Sequence, residues 1–127
     1  MKSKVVYITG EEAKIITLEA ENSASETVRM HGPRHPAETL GKNHPKKQDD
    51  VERFVHELAT LLEQEPARIL LVGPAQTKTR LMKHIERQHP QLAKSIVGLE
   101  TMDKASTQQV VHFARSYFTK LGVYEAI

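Results

Sequence analysis

A mixed α/β sheet covered by helices is the fold class this sequence predicts. Three observations carry it. β-branched runs open the chain, apolar residues recur at helical period from residue 50, and a solid apolar run, Arg68 to Val72, separates two helical stretches. In order, Val5-Val6-Tyr7-Ile8 and Lys14-Ile15-Ile16-Thr17-Leu18 flank the short acidic connection Gly10-Glu11-Glu12, which reads as a hairpin. Thr27 to Met30 supplies a third strand after a turn at Asn22 to Ser25. Val51, Phe54, Val55, Leu58, Leu61 and Leu62 then form one apolar stripe of a helix that starts at Asp50. Asp49 or Asp50 can cap its first N–H groups, with Glu52 three residues after Asp49 as in a capping box.

Pro66 closes that helical region, and Gly73-Pro74 ends the apolar run, which marks a strand buried on both faces. Gln76 to His89 predicts a second helix with Leu81, Met82 and Ile85 facing inward and Pro90 stopping or kinking it. Ile96 to Leu99 gives a further strand. Ser106 with Gln109 is a second capping-box pattern, ahead of a helix burying Val110, Val111, Phe113, Ala114, Tyr117, Phe118 and Leu121. Helices between the later strands imply parallel pairing through right-handed crossovers. The whole reads βββαβαβα, the order of the ribonuclease-H-like architecture, in one domain over residues 1–127.

Composition removes several chemistries. With no cysteine among 127 residues, a disulfide scaffold, thiolate metal site, iron–sulfur cluster or thiol nucleophile is excluded. The longest apolar runs are too short to span a bilayer. Met1-Lys2-Ser3-Lys4 and the short run after it do not form a signal-peptide pattern, so a cytoplasmic location is expected. The net charge is only +2, which places any basic footprint locally.

That footprint lies in His31 to Gln48, a loop with three prolines and little apolar content, where Arg34, Lys42, Lys46 and Lys47 oppose Glu38 alone. Together with His35 and His44 these residues suit contacts to RNA phosphates, and the absence of aromatic residues argues for backbone contact rather than base reading. His31, His35 and His44 do not read as a metal triad, since Pro33 and Pro36 exclude the helix that would give their spacing meaning. The strand-turn-helix at Val72 to Thr79 aims a lysine at a bound anion but lacks the second glycine of a Walker loop. On the second helix Lys78, Arg80, Lys83 and Arg87 extend the RNA-facing set. His84 and His89 read as surface residues, and His56 and His112 as bordering the core. Glu11, Glu12, Glu100 and Asp103 are the carboxylates nearest a hydrolytic role, but the first strand carries no acid, which disfavours a two-metal nuclease. No Gly-x-Ser-x-Gly elbow is present.

Residues 6–15 (Val-Tyr-Ile-Thr-Gly-Glu-Glu-Ala-Lys-Ile), the basic loop, the helix from Asp50, residues 70–81 (Leu-Leu-Val-Gly-Pro-Ala-Gln-Thr-Lys-Thr-Arg-Leu) and residues 97–103 (Val-Gly-Leu-Glu-Thr-Met-Asp) carry a resemblance. Over about residues 4–120 the chain is similar to the central domain of archaeo-eukaryotic peptide release factors and Pelota. More closely it resembles their small bacterial relatives, the translational machinery or release-factor-like proteins. In release factors the loop before the first helix carries a Gly-Gly-Gln motif that promotes peptidyl-tRNA hydrolysis. Here Gly32 and Gly41 stand alone and Lys47 precedes Gln48. The resemblance therefore implies a non-catalytic RNA- or ribosome-associated domain, with the ribosome, tRNA or rRNA as partner and no cofactor, metal or membrane. The alternatives are a hydrolase on RNA or peptidyl-tRNA, using loop histidines with Glu100 or Asp103, and an adaptor for a protein partner.

Overall fold

The computed structural model describes residues 2–10, 12–19, 23–29 and 48–122. Along them run β1 (Lys2–Ile8), β2 (Glu12–Leu18), β3 (Ser23–Arg29), α1 (Gln48–Leu62), β4 (Ala67–Gly73), α2 (Ala75–Gln88), α3 (Pro90–Ala93), β5 (Ile96–Thr101) and α4 (Thr107–Leu121). The five strands form one sheet in the order β3-β2-β1-β4-β5. β1 sits at its centre, antiparallel to β2 and parallel to β4, with Val6 facing Ile15 on one side and Leu71 on the other. β5 continues the sheet in parallel beyond β4. This mixed sheet with its helices is the ribonuclease-H-like α/β architecture that the sequence predicts.

The solid apolar runs of β1 and β4 follow from burial on both faces. On one face Val6, Ile8, Ile15, Ile69 and Leu71 pack against Phe54, Val55, Leu58 and Leu62 of α1 and Leu81 and Ile85 of α2. On the other, Val5, Tyr7, Ile16, Leu70 and Val72 meet Val110, Ala114 and Phe118 of α4. Tyr7 also reaches past the sheet, donating its hydroxyl proton to the Asp103 carbonyl at 2.6 Å. That bond fixes the connection between β5 and α4. The Ser106–Gln109 capping box forms in both directions, at 2.8 and 3.1 Å.

Four local expectations change. β3 begins at Ser23, inside the stretch read as a turn, because pairing with β2 from Leu18 to Glu12 supplies the bonds a turn would otherwise make. α1 begins at Gln48, the last residue of the predicted loop, so Asp49 and Asp50 lie within its first turn rather than ahead of it. Pro90 does not only stop α2; its fixed φ suits the first position of the short α3. Leu121, expected in the core, is 46% exposed in the last turn of α4, beside its Gly122 cap.

Lys4 on β1 is buried, and its Nζ is held by Glu65 Oε1 at 2.8 Å, with Lys2 Nζ 3.4 Å from the second oxygen. The hydrogen bond from Lys4, and then its charge, hold the Glu65 carboxyl below its ordinary value. A lowered carboxyl stabilises the fold above the ordinary value and loses that contribution as pH falls through the lowered one. Glu65→Gln is therefore expected to melt below the parent at neutral pH, with the gap narrowing in acid. Thermal melts from pH 7 to pH 3 check this, and a gap independent of pH contradicts it.

Candidate nucleic-acid interface

α2 is amphipathic in a way that sorts its cations. Lys78, Leu81, His84 and Ile85 fall on the buried face, whereas Arg80, Lys83 and Arg87, spaced i, i+3 and i+7, stand exposed along the other. These three line a groove of about 680 Å³ together with Gln76, Thr77 and Thr79 from the start of the same helix. Gly10, from the turn after β1, and Val51 and Glu52 of α1 complete its wall. The Gly73-Pro74 turn leads the apolar strand β4 directly into α2. No side chain caps the first N–H groups of that helix, whose Ala75, Gln76 and Thr77 belong to the groove. Two guanidiniums and an ammonium against the single Glu52 carboxylate, with hydroxyl and amide groups between, make a surface suited to several phosphate oxygens at once.

Lys78 lies elsewhere. It is only 5% exposed, and its Nζ donates to Thr101 Oγ1 at 3.0 Å, bracing the end of β5 instead of facing an anion in the groove. Its place was legible in the sequence, since residues 78, 81 and 85 share one helical face. Arg34, His35, Lys42, His44, Lys46 and Lys47 lie outside the described residues. α1 begins at Gln48, about one helical turn before Val51 in the groove wall.

The histidines reverse their expected places. His84 and His89, read as surface residues, are 7% and 8% exposed, while His56 and His112, read as bordering the core, are exposed. The apolar stripe of α2 already held the signal for His84, which sits beside Leu81 and Ile85 on the buried face. Packing of α1 on α2 brings His56, His84 and His89 together, with one ring nitrogen from each within 4.8 Å of the others. His56 Nδ1 and His84 Nε2 are 3.4 Å apart. His84 Nδ1 lies 3.6 Å from Glu52 Oε1, too long for a hydrogen bond, and His89 Nδ1 lies 3.0 Å from Glu63 Oε2. Burial, and next the neighbouring His89, push the His84 pKa down, against the pull of Glu52.

Among the described residues this is the one histidine or carboxylate trio within ligand reach. Glu12, Glu100 and Asp103 do not gather. Glu12 pairs with Arg29 at 3.6 Å, and Asp103 engages Tyr7 through its main chain.

Solved structures share this fold. Pelota from Archaeoglobus fulgidus superposes with a TM-score of 0.67 at 14% identity, over 96% of this chain and 33% of that one. S. cerevisiae Dom34, a translation termination-like factor involved in RNA quality control pathways and interacting with Hbs1, gives 0.62 at 12% identity, over 94% and 34%. The archaeal translation termination factor aRF1 gives 0.56 at 12% identity, over 95% and 39%. The chain thus spans about a third of the length of these proteins. No protein-family model and no curated protein matches it.

Proposed function

We propose that this chain is a non-catalytic RNA- or ribosome-associated domain of the translation machinery, of the bacterial release-factor-like kind. The observation that carries the reading is the groove in which Arg80, Lys83 and Arg87 stand exposed on one face of α2. Its wall includes Val51 and Glu52 from the first turns of α1, the helix that follows the basic segment in the sequence. Arg34, His35, Lys42, His44, Lys46 and Lys47 form one contact with phosphate, and the α2 face forms a second. The segment holds no Gly-Gly-Gln, so the domain binds where its release-factor counterparts cleave. The similarity in fold to Pelota and aRF1 supports ribosomal RNA or tRNA as the ligand.

Binding through phosphates releases counterions, so the association weakens as salt rises. Replacing Arg34, Lys42, Lys46 and Lys47 together by alanine is expected to weaken co-sedimentation with ribosomes, or binding to tRNA, and to flatten its salt dependence. The melting temperature should stay within a few degrees of the parent. Equal binding by parent and variant across salt concentrations refutes the role of the segment.

A further inference from the structure

We propose that His56, His84 and His89 form a binding site for a divalent transition-metal ion, zinc by its donor set, which pins α2 and the start of α3 to α1. The inference is independent of the nucleic-acid reading, because it uses other side chains and a different ligand.

Three observations converge on it. The first is spacing. In a tetrahedral zinc site with Zn–N bonds of about 2.0–2.1 Å, the ligating nitrogens stand roughly 3.3 Å apart. His56 Nδ1 and His84 Nε2 are already at 3.4 Å, and one ring nitrogen from each of the three histidines lies within 4.8 Å of the others. The ring of His56 is exposed, so it is free to turn and close the remaining gap.

The second is the carboxylate behind each buried ring. Imidazoles that ligate metals give their other N–H to an acceptor, which fixes tautomer and orientation. Glu63 Oε2 stands 3.0 Å from His89 Nδ1 and fills that role, whereas Glu52 Oε1, 3.6 Å from His84 Nδ1, faces that nitrogen without bonding it and leaves it buried and without a partner. Both carboxylates therefore lie on the Nδ1 side and leave Nε2 for the ion. The third is an unanswered polar atom. His89 Nε2 is buried and has no hydrogen-bond partner, a state that costs free energy in a folded chain unless something occupies it. A metal ion satisfies that nitrogen and replaces the contact of three imidazoles with their common coordination to a cation. Three protein ligands leave a fourth position for water on the exposed His56 side.

The proposal is tested on the untagged 127-residue chain, stripped with chelator and dialysed. Calorimetric titration with zinc chloride is expected to show one equivalent bound and a rise in melting temperature, whereas magnesium chloride gives neither, since a hard cation prefers oxygen donors. Cobalt(II) should develop the visible bands of a tetrahedral site. His56→Ala, at an exposed position, is expected to fold as the parent and to bind zinc at least a hundredfold more weakly. Glu63→Gln, which touches no ion, should weaken binding tenfold to a hundredfold through the orientation of His89. The chain's four other histidines provide the control: replacing His31, His35, His44 and His112 by alanine should leave the affinity unchanged. Failure of the parent to take up zinc, or undiminished uptake by His56→Ala, overturns the proposal.

Discussion

A chain carrying Arg80→Ala, Lys83→Ala and Arg87→Ala together is expected to lose most of its affinity for ribosomes or tRNA at physiological salt while melting close to the parent. Each phosphate contact removed lowers the slope of log affinity against log salt by roughly 0.7 to 1, so the triple variant should lose about two to three units of slope. The fold should tolerate the change. All three side chains are exposed on α2, and alanine is the best helix former, so the helix itself is not weakened. Surface substitutions of this kind stay within about 0.5 kcal/mol each. Lys78→Met supplies the contrast. Its ammonium is buried on Thr101, so the variant should shift the melting temperature and leave the salt slope alone. Filter binding or co-sedimentation at four or five salt concentrations measures both slopes. An unchanged slope in the triple variant removes the groove from the interface.

Gly73→Ala is expected to cost the fold about 4 kcal/mol or more, a large share of the 5–15 kcal/mol that holds a typical domain. Gly73 ends β4 at φ +144°, a conformation that side chains rarely adopt, and a Cβ built there would stand 2.1 Å from the carbonyl oxygen of Ile8. That oxygen is main chain at the end of the central strand, where Ile8 pairs with Ala13 of β2, so it cannot move aside without disturbing that pairing. The same glycine accepts the N–H of Met102 at 3.2 Å, and it turns the chain from β4 into α2. Damage here therefore reaches the groove through the start of its helix. Gly10→Ala is the matched control, since a Cβ there meets nothing within 4 Å. Urea denaturation of the two variants should give midpoints far apart, and Gly73→Ala unfolding with the parent would contradict the close approach.

Much of this architecture was written in short-range pattern. The apolar runs of β1 and β4 announce strands covered on both sides, and the stripe from Val51 to Leu62 announces α1. Ser106 and Gln109 locate the start of α4 by chemistry that needs only three residues of separation. The first half of β3 is not legible in the sequence because six of the strand's seven residues are polar or small, and it exists by pairing with β2 rather than by its own propensity. For the candidate site, helical spacing predicts the exposed positions of Arg80, Lys83 and Arg87, and the same spacing puts Lys78 apart from them, with Leu81 and Ile85.

The sequence alone determined the order of strands and helices, the buried stripes, the absence of Gly-Gly-Gln and the concentration of positive charge before α1 and along α2. These depend on residues a few positions apart, where backbone geometry converts spacing directly into a face. Only the tertiary structure decided that His56 meets His84 and His89, that Lys78 reaches Thr101, and that α1 and the β1–β2 turn wall the basic groove. Those partners are brought together by packing Phe54 and Leu58 against the same core as Leu81 and Ile85. The burial that drives such packing is non-directional, so which polar groups end up side by side is set by how whole helices seat on the sheet, and no local pattern records it.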